Sequence, residues 1–168
     1  MKIRPFKLCD GEALCRWVAD EVTFTRWCAN LFQYPLTMEQ LETYRAEQEN
    51  NPKDFAMTAL DENDAPIGHV ILRCRENKTV YIGFVVMAPQ CRGKGLGAKW
   101  VTLLSRYCFH ALGAETITLD VFDNNPAAWR CYQKVGYRIT EEEPNCFPFQ
   151  NEKWGRYGMR LDKADFKA

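Results

Sequence analysis

Apolar and polar residues recur along this chain with two periods. Short apolar or alternating runs, rich in β-branched and aromatic residues, predict strands over Lys2–Leu8, Phe55–Leu60, Ile67–Cys74, Thr79–Met87, Glu115–Phe122, Tyr137–Glu143 and Trp154–Leu161. Pro5 restricts the first to an edge, because it brings no N–H to a ladder. Helical spacing of Leu14, Trp17, Val18 and Val22 behind Asp10 predicts a first helix over residues 10–22. Phe24, Trp27, Leu31, Phe32 and Tyr34 then read as an irregular aromatic segment ending at Pro35, better suited to core than to an acceptor pocket. Thr37 and Gln40 have the spacing of a capping box, and the helix they open runs to Glu49 before Asn50-Asn51-Pro52 stops it.

Downstream, Leu96, Trp100, Val101, Leu103, Leu104, Tyr107 and Cys108 predict a helix from Gly95 to Ala111 with wide apolar coverage, closed by Gly113. Asn125 and Pro126 open another, as cap and first turn, with Ala128, Cys131, Tyr132 and Val135 as its buried stripe and Gly136 as its end. The piece holding Pro144, Pro148 and Phe149 reads as an irregular connection between the last two strands. The order is βααβββαβαββ, a mixed α/β chain forming a single domain over residues 1–168. Three consecutive strands make an antiparallel meander, and the helix between 79–87 and 115–121 makes a right-handed parallel crossover.

Composition narrows the field. Positive and negative residues balance to a net charge of zero, so no basic excess points to nucleic acid. The apolar runs are too short to span a bilayer, and Met1–Pro5 lacks the apolar stretch of a signal peptide, so we expect a cytoplasmic protein without a membrane partner. The eight cysteines include no C-x-x-C pair, and His69 and His110 are far apart, so no metal is expected and the thiols are read as reduced fillers. Cys91, beside Arg92 near a helix start, is the one thiol with a reactive setting, though an inert loop residue is the better reading.

The chemistry concentrates in Val80–Ala98. A strand ends at Pro89, and Gln90-Cys91-Arg92-Gly93-Lys94-Gly95-Leu96-Gly97 leads into a helix. Glycines permit unusual dihedrals and close approach of another molecule. The helix start offers free N–H groups and a positive dipole end, which together make a phosphate seat. The glycines alone also satisfy a relaxed dinucleotide fingerprint, with Asp120 near the position of a ribose-binding acid. The loop here follows a meander rather than repeated βαβ units, which argues against that alternative.

Three stretches, in order and spacing, resemble the GNAT superfamily, the acyl-coenzyme-A-dependent N-acetyltransferases. Gln90–Gly97 is similar to the family's Gln/Arg-x-x-Gly-x-Gly/Ala loop after the fourth strand. Asn125-Pro126-Ala127-Ala128-Trp129-Arg130-Cys131-Tyr132 is similar to its Asn-x-x-Ala…Tyr helix, and Lys134-Val135-Gly136-Tyr137 to its Lys-x-Gly-Phe stretch. Ile82-Gly83-Phe84 also resembles the branch that includes the ribosomal-protein alanine acetyltransferases.

The resemblance implies a central, mostly antiparallel sheet whose fourth and fifth strands form a splayed parallel pair. It implies acetyl-CoA as cosubstrate and direct transfer of the acetyl group to a primary amine of a small molecule or a peptide or protein N-terminus, by a monomer or homodimer. Main-chain amides of Arg92, Gly93, Lys94, Gly95, Leu96, Gly97 and Ala98 would hold the pyrophosphate. The main chain of Phe84, Val85, Val86 and Met87 would pair with the pantetheine arm as an added strand. The amide of Val85, or of Val86 beside it, would serve as oxyanion donor. Asn125 and Ala128 would contact the arm, and Tyr132 would protonate the leaving thiolate.

The sequence departs from the family at the general base: where many relatives carry Glu on the fourth strand, this chain has Tyr81. Glu21, Asp120 and Glu141 are other candidates, each better read as a surface or paired carboxylate, and water relayed by carbonyls serves equally. The missing Glu lends some weight to a second reading, a non-catalytic acyl-CoA sensor of the same fold. The resemblance frames an acceptor site with helices 10–22 and 37–49 and the loop 144–153. Trp17, Phe24, Trp27 and Phe32 would offer apolar walls, and Glu141–Glu143 would draw a cation.

Overall fold

A computed structural model describes residues 1–167. Its strands are β1 (Lys2–Pro5), β2 (Asp54–Leu60), β3 (Pro66–Arg75), β4 (Thr79–Met87), β5 (Thr116–Phe122), β6 (Arg138–Phe149) and β7 (Glu152–Asp162). Its helices are α1 (Gly11–Trp17), α2 (Glu21–Cys28), α3 (Met38–Asn50), α4 (Leu96–His110) and α5 (Pro126–Val135). The strands form one seven-stranded sheet in the order β1-β2-β3-β4-β5-β7-β6. Its β1/β2, β2/β3, β5/β7 and β6/β7 pairs are antiparallel, and β4 and β5 are its parallel neighbours. By contact density the chain divides into two units: Met1–Cys74 with Ile82–Leu96, and Arg75–Tyr81 with the chain from Gly97 onward.

Two elements differ from the sequence expectation. The helix expected over 10–22 is two helices. Val18 ends α1, and Asp20 turns extended and accepts a hydrogen bond from the Thr23 amide at 2.8 Å, capping α2. Phe24, Trp27 and Cys28, spaced by three and four, are then the buried stripe of α2 rather than an irregular segment. At the other end of the chain, the piece around Pro144 and Pro148 is strand. β6 is last in the sheet order, so its prolines withhold N–H groups where no further strand needs them. A register shift between Glu143 and Phe147 absorbs the irregularity.

In the first unit, Asp10 ties β1 to β2. It is 4% exposed and accepts both forks of Arg4 at 2.7 Å, the Thr58 hydroxyl at 2.8 Å and the Lys7 amide at 3.1 Å. Burial alone would raise its pKa; these donors outweigh that and hold the carboxyl below its usual range. Next to Asp10 in chemistry but opposite in charge state is His69, fully buried on β3. Its Nε2 lies 3.4 Å from the Tyr44 hydroxyl and its Nδ1 has no partner.

Burial pushes the His69 imidazole down to about 3, against a weaker upward pull from Asp10. It stays neutral in the fold, whereas the unfolded chain takes up a proton near pH 6.5. The unfolded state therefore binds more protons below that pH, and stability present above it is lost as the pH falls toward 3. The expected loss is about 2 kcal/mol between pH 7.5 and 5, read by urea unfolding. His69→Gln removes that portion of the slope; an unaltered slope in the variant would assign it to the carboxylates instead.

In the second unit, the Ser105 and Tyr137 hydroxyls are hydrogen-bonded at 2.9 Å beneath α4. Phe122, Phe149 and Trp154 form a buried cluster against which Phe147 packs. The Gly136 that closes α5 has φ +110°, a conformation that excludes most side chains and lets the Tyr137 amide reach the Tyr132 carbonyl.

Candidate functional site

The middle of β4 is not regular strand. Phe84 has φ +52°, a left-handed conformation that costs a non-glycine residue about 1–2 kcal/mol. Packing holds it there. Trp27 Nε1 donates to the Phe84 carbonyl at 2.8 Å, and that carbonyl is thereby turned toward α2. The Phe84 ring sits 5.5 Å from both Trp27 and Phe32 and 6.1 Å from Tyr44, with the Arg73 guanidinium 4.9 Å from its centroid. Val85 and Met87, which follow, are half-buried, while Val86 is buried.

After β4, a single turn over Pro89–Cys91 leads to the glycine loop. Gly93 and Gly95 both have φ +73° with open space where a Cβ would stand. Among the described residues, the Gly93, Lys94 and Gly95 amides donate to no carbonyl of the chain. Leu96, Gly97 and Ala98 open α4, and the first amides of a helix have no partner within it. The loop therefore presents a run of donors at the positive end of a helix dipole.

Arg92, expected to lend its amide to that surface, is turned into the fold instead: the amide closes the preceding turn by donating to the Pro89 carbonyl at 3.2 Å. Its Nε donates to the Met87 carbonyl at 2.9 Å and a terminal nitrogen to the Trp17 carbonyl at 3.4 Å. Cys91 is half-buried in the turn. Among the described residues, no three His, Cys, Asp or Glu side chains gather as for a metal ion, and no helix is long and apolar enough to cross a membrane.

In the second unit, Asn125 caps α5 by accepting from the Ala128 amide at 3.3 Å, a contact that uses its carboxamide oxygen. Its nitrogen makes no hydrogen bond among the described residues. Gly97 faces the same helix: a Cβ there would come within 3.2 Å of Cys131 Sγ. Next to Cys131, Tyr132 is 6% exposed and packs 5.8 Å from Tyr137. Burial drives its phenol well above the usual range, aided by neighbouring Cys131 and Tyr81, so it keeps its proton.

Of the carboxylates weighed as bases, Asp120 is paired. Tyr81 donates to Asp120 at 3.2 Å, and Asp120 also lies 3.6 Å from Arg156. Arg156 in turn binds Glu143 at 2.7 Å. The aromatics named from sequence part company. Trp27 and Phe32 stack on each other and surround Phe84, and Phe24 meets Trp27 edge-on, whereas Trp17 offers Arg92 a carbonyl.

Sequence reading missed a cavity of about 480 Å³ in the first unit. Phe32, Tyr44, Gln48, Asp54, Arg73 and Phe84 are among its lining residues. Asp54 on β2 stands opposite Arg73 on β3, and their charged groups approach to 3.4 Å. The other Asp54 oxygen, Oδ1, and Gln48 Oε1 are buried without a hydrogen-bond partner. The only sequence signal for this pair is opposite charge at facing strand positions, visible once the β2–β3 register is known.

Comparison with known proteins adds three findings. The family described as acetyltransferase (GNAT) family matches residues 19–137. The peptidyl-lysine N-acetyltransferase YjaB of Salmonella typhimurium is 30% identical over 103 residues, 58% of this chain and 63% of that protein, and its Escherichia coli K12 counterpart is 30% identical over the same length. The chain thus spans a little under two thirds of the length of these relatives. A spermidine N-acetyltransferase from Vibrio cholerae, solved with CoA and spermine, superposes with a TM-score of 0.84 at 17% identity, over 98% of this chain and 96% of the other.

Proposed function

Since the chain belongs to the acetyltransferase (GNAT) family, we propose that it is an acetyl-CoA-dependent N-acetyltransferase, one domain over residues 1–168. It transfers the acetyl group directly from the thioester to a primary amine of a small molecule or of a peptide or protein N-terminus. Spermidine and peptidyl-lysine, named for the proteins it is similar to, both present a primary alkylamine. The observation that carries the reading is the loop at Gly93–Gly95: amides without partners, two left-handed glycines with open space where a Cβ would stand, and a helix start. That is the donor set a pyrophosphate requires.

Acetyl-CoA supplies the activated acyl group. The amides of Gly93, Lys94, Gly95, Leu96, Gly97 and Ala98 take its phosphates, and the main chain of Phe84, Val85, Val86 and Met87 pairs with its arm. Because Trp27 holds the Phe84 carbonyl, the peptide that follows is fixed, and the Val85 amide can stand ready for the negative oxygen that develops during attack. Asn125 has a carboxamide nitrogen to give the arm, beside Ala128. Tyr132 donates its proton as the thiolate leaves. Its raised pKa keeps the proton on the phenol until the departing sulfur can accept it.

Thiol release from acetyl-CoA over a panel of primary amines tests the reaction. Tyr132→Phe should lower kcat about tenfold, at the weak end for a general acid, with coenzyme affinity by calorimetry unchanged. Equal turnover would remove Tyr132 as the acid. The presence of Tyr81, bonded to Asp120, where relatives carry Glu favours a second reading, an acyl-CoA sensor. Coenzyme binding with no thiol release from any amine would select it.

A further inference from the structure

We propose that the cavity between α3, β2, β3 and β4 binds the charged distal nitrogen of the acceptor, and that the acceptor is therefore an aliphatic molecule with two amines. This inference rests on the acetyltransferase reading above. The cavity, about 480 Å³, lies within the ~300–1,000 Å³ of small-molecule sites. Three charged residues line it, Glu47, Asp54 and Arg73, so its net charge is negative. Arg73 occupies only one oxygen of Asp54. Asp54 Oδ1 and Gln48 Oε1 are acceptors without donors, closed off behind the cavity wall, a costly arrangement that a ligand N–H would relieve once either side chain rotates toward it.

The fold already places one cation here. Arg73 sits between the Asp54 carboxylate and the face of Phe84, so this corner has the two attractions that hold an alkylammonium, a carboxylate and a ring face. Phe32, Leu31 and Phe84 supply apolar wall for a methylene stem. An anionic acceptor would instead meet two carboxylates against one guanidinium.

Chemistry separates the two nitrogens. The attacking amine must have lost its proton, while a nitrogen beside Asp54 is held protonated. The nitrogen in the cavity is thus not the one acetylated. Phe84 lines the cavity and Val85, the proposed oxyanion donor, is the next residue, so on this proposal the stem must pass the Phe84 ring to reach the thioester.

Cadaverine and n-pentylamine, equal in stem and differing in the second nitrogen, provide the test. In thiol-release kinetics the parent protein should have a KM for cadaverine at least tenfold below that for n-pentylamine. Asp54→Asn should raise the cadaverine KM at least tenfold more than the pentylamine KM. Glu47→Gln, on the exposed flank of α3, should act in the same direction by about threefold, and it keeps the test open should the first variant fail to fold. Equal effects on both amines, or none, overturn the cavity assignment and leave the acetyltransferase reading intact. If no amine releases thiol, but calorimetry finds cadaverine bound by the parent and lost in Asp54→Asn, the anchoring site stands and the enzyme reading falls. Absence of any preference for cadaverine in both kinetics and calorimetry overturns the proposal.

Discussion

Gly95→Asp is expected to weaken acetyl-CoA binding about a hundredfold, with the melting temperature lowered by only a few degrees. Gly95 has φ +73° and open space beyond its Cα, so an aspartate fits sterically and its backbone cost is about 1 kcal/mol. Its carboxylate would stand among the amides proposed to take the pyrophosphate. Two like charges ~5 Å apart at an effective dielectric of ~20 repel by about 3 kcal/mol, which is roughly two decades in affinity. Gly95→Asn has the same shape and backbone demand without the charge, and should lose threefold or less. Isothermal titration with acetyl-CoA separates them. Matching affinities for the Asp and Asn variants would mean that no anion sits there.

Trp27→Ala is expected to be the most damaging single truncation near the site, at about 4–6 kcal/mol. The ring is 4% exposed, stacks on Phe32 at 5.1 Å and contacts Phe24, His69 and Phe84. Removing a buried aromatic costs about 3–5 kcal/mol, and the Phe84 carbonyl would lose its donor, worth about 1 kcal/mol. In a chain of this size the melting temperature should fall by about 10–15 °C, followed by circular dichroism. Trp27→Phe divides packing from anchoring: it retains most of the ring but no N–H, so its stability loss should be about 1–3 kcal/mol. If the turned peptide after Phe84 supports catalysis, that variant loses turnover out of proportion to stability. Parent-like kcat in Trp27→Phe would show that the carbonyl needs no tether.

Much of the frame was legible because it is written in local chemistry. The Asn125-Pro126 opening and Gly136 closing of α5, the Gly93 and Gly95 turns and the Thr37 cap of α3 each depend on residues within a few positions of one another. The break between α1 and α2 was also signalled locally, by Asp20 three residues before Thr23. Val22 continued the apolar spacing of Leu14 and Val18 and masked it. The prolines of β6 misled because their cost depends on whether another strand lies alongside, a fact of topology and not of the segment itself.

The candidate site was readable only at the glycine loop and the start of α5, where motifs are contiguous. Nothing in the residue Phe announces a left-handed backbone, since Phe84 takes that conformation from Trp27, fifty-seven positions away. Asp54 and Arg73 become neighbours through strand register, and they meet Phe84 only when a third strand joins them. The acceptor anchoring proposed for this corner draws on separate strands, and so it left no string of letters to read.

The clasp of Arg92 on two carbonyls has a further consequence. Hydrogen-bonded to neutral carbonyls, its guanidinium keeps its charge but is fixed in place, so the loop meets a negative group with peptide dipoles and a tethered cation whose directions are set before any ligand arrives. Drift at Gln90 or Cys91 would then be absorbed so long as the two glycines keep the main chain wound as it is and the clasp stays closed.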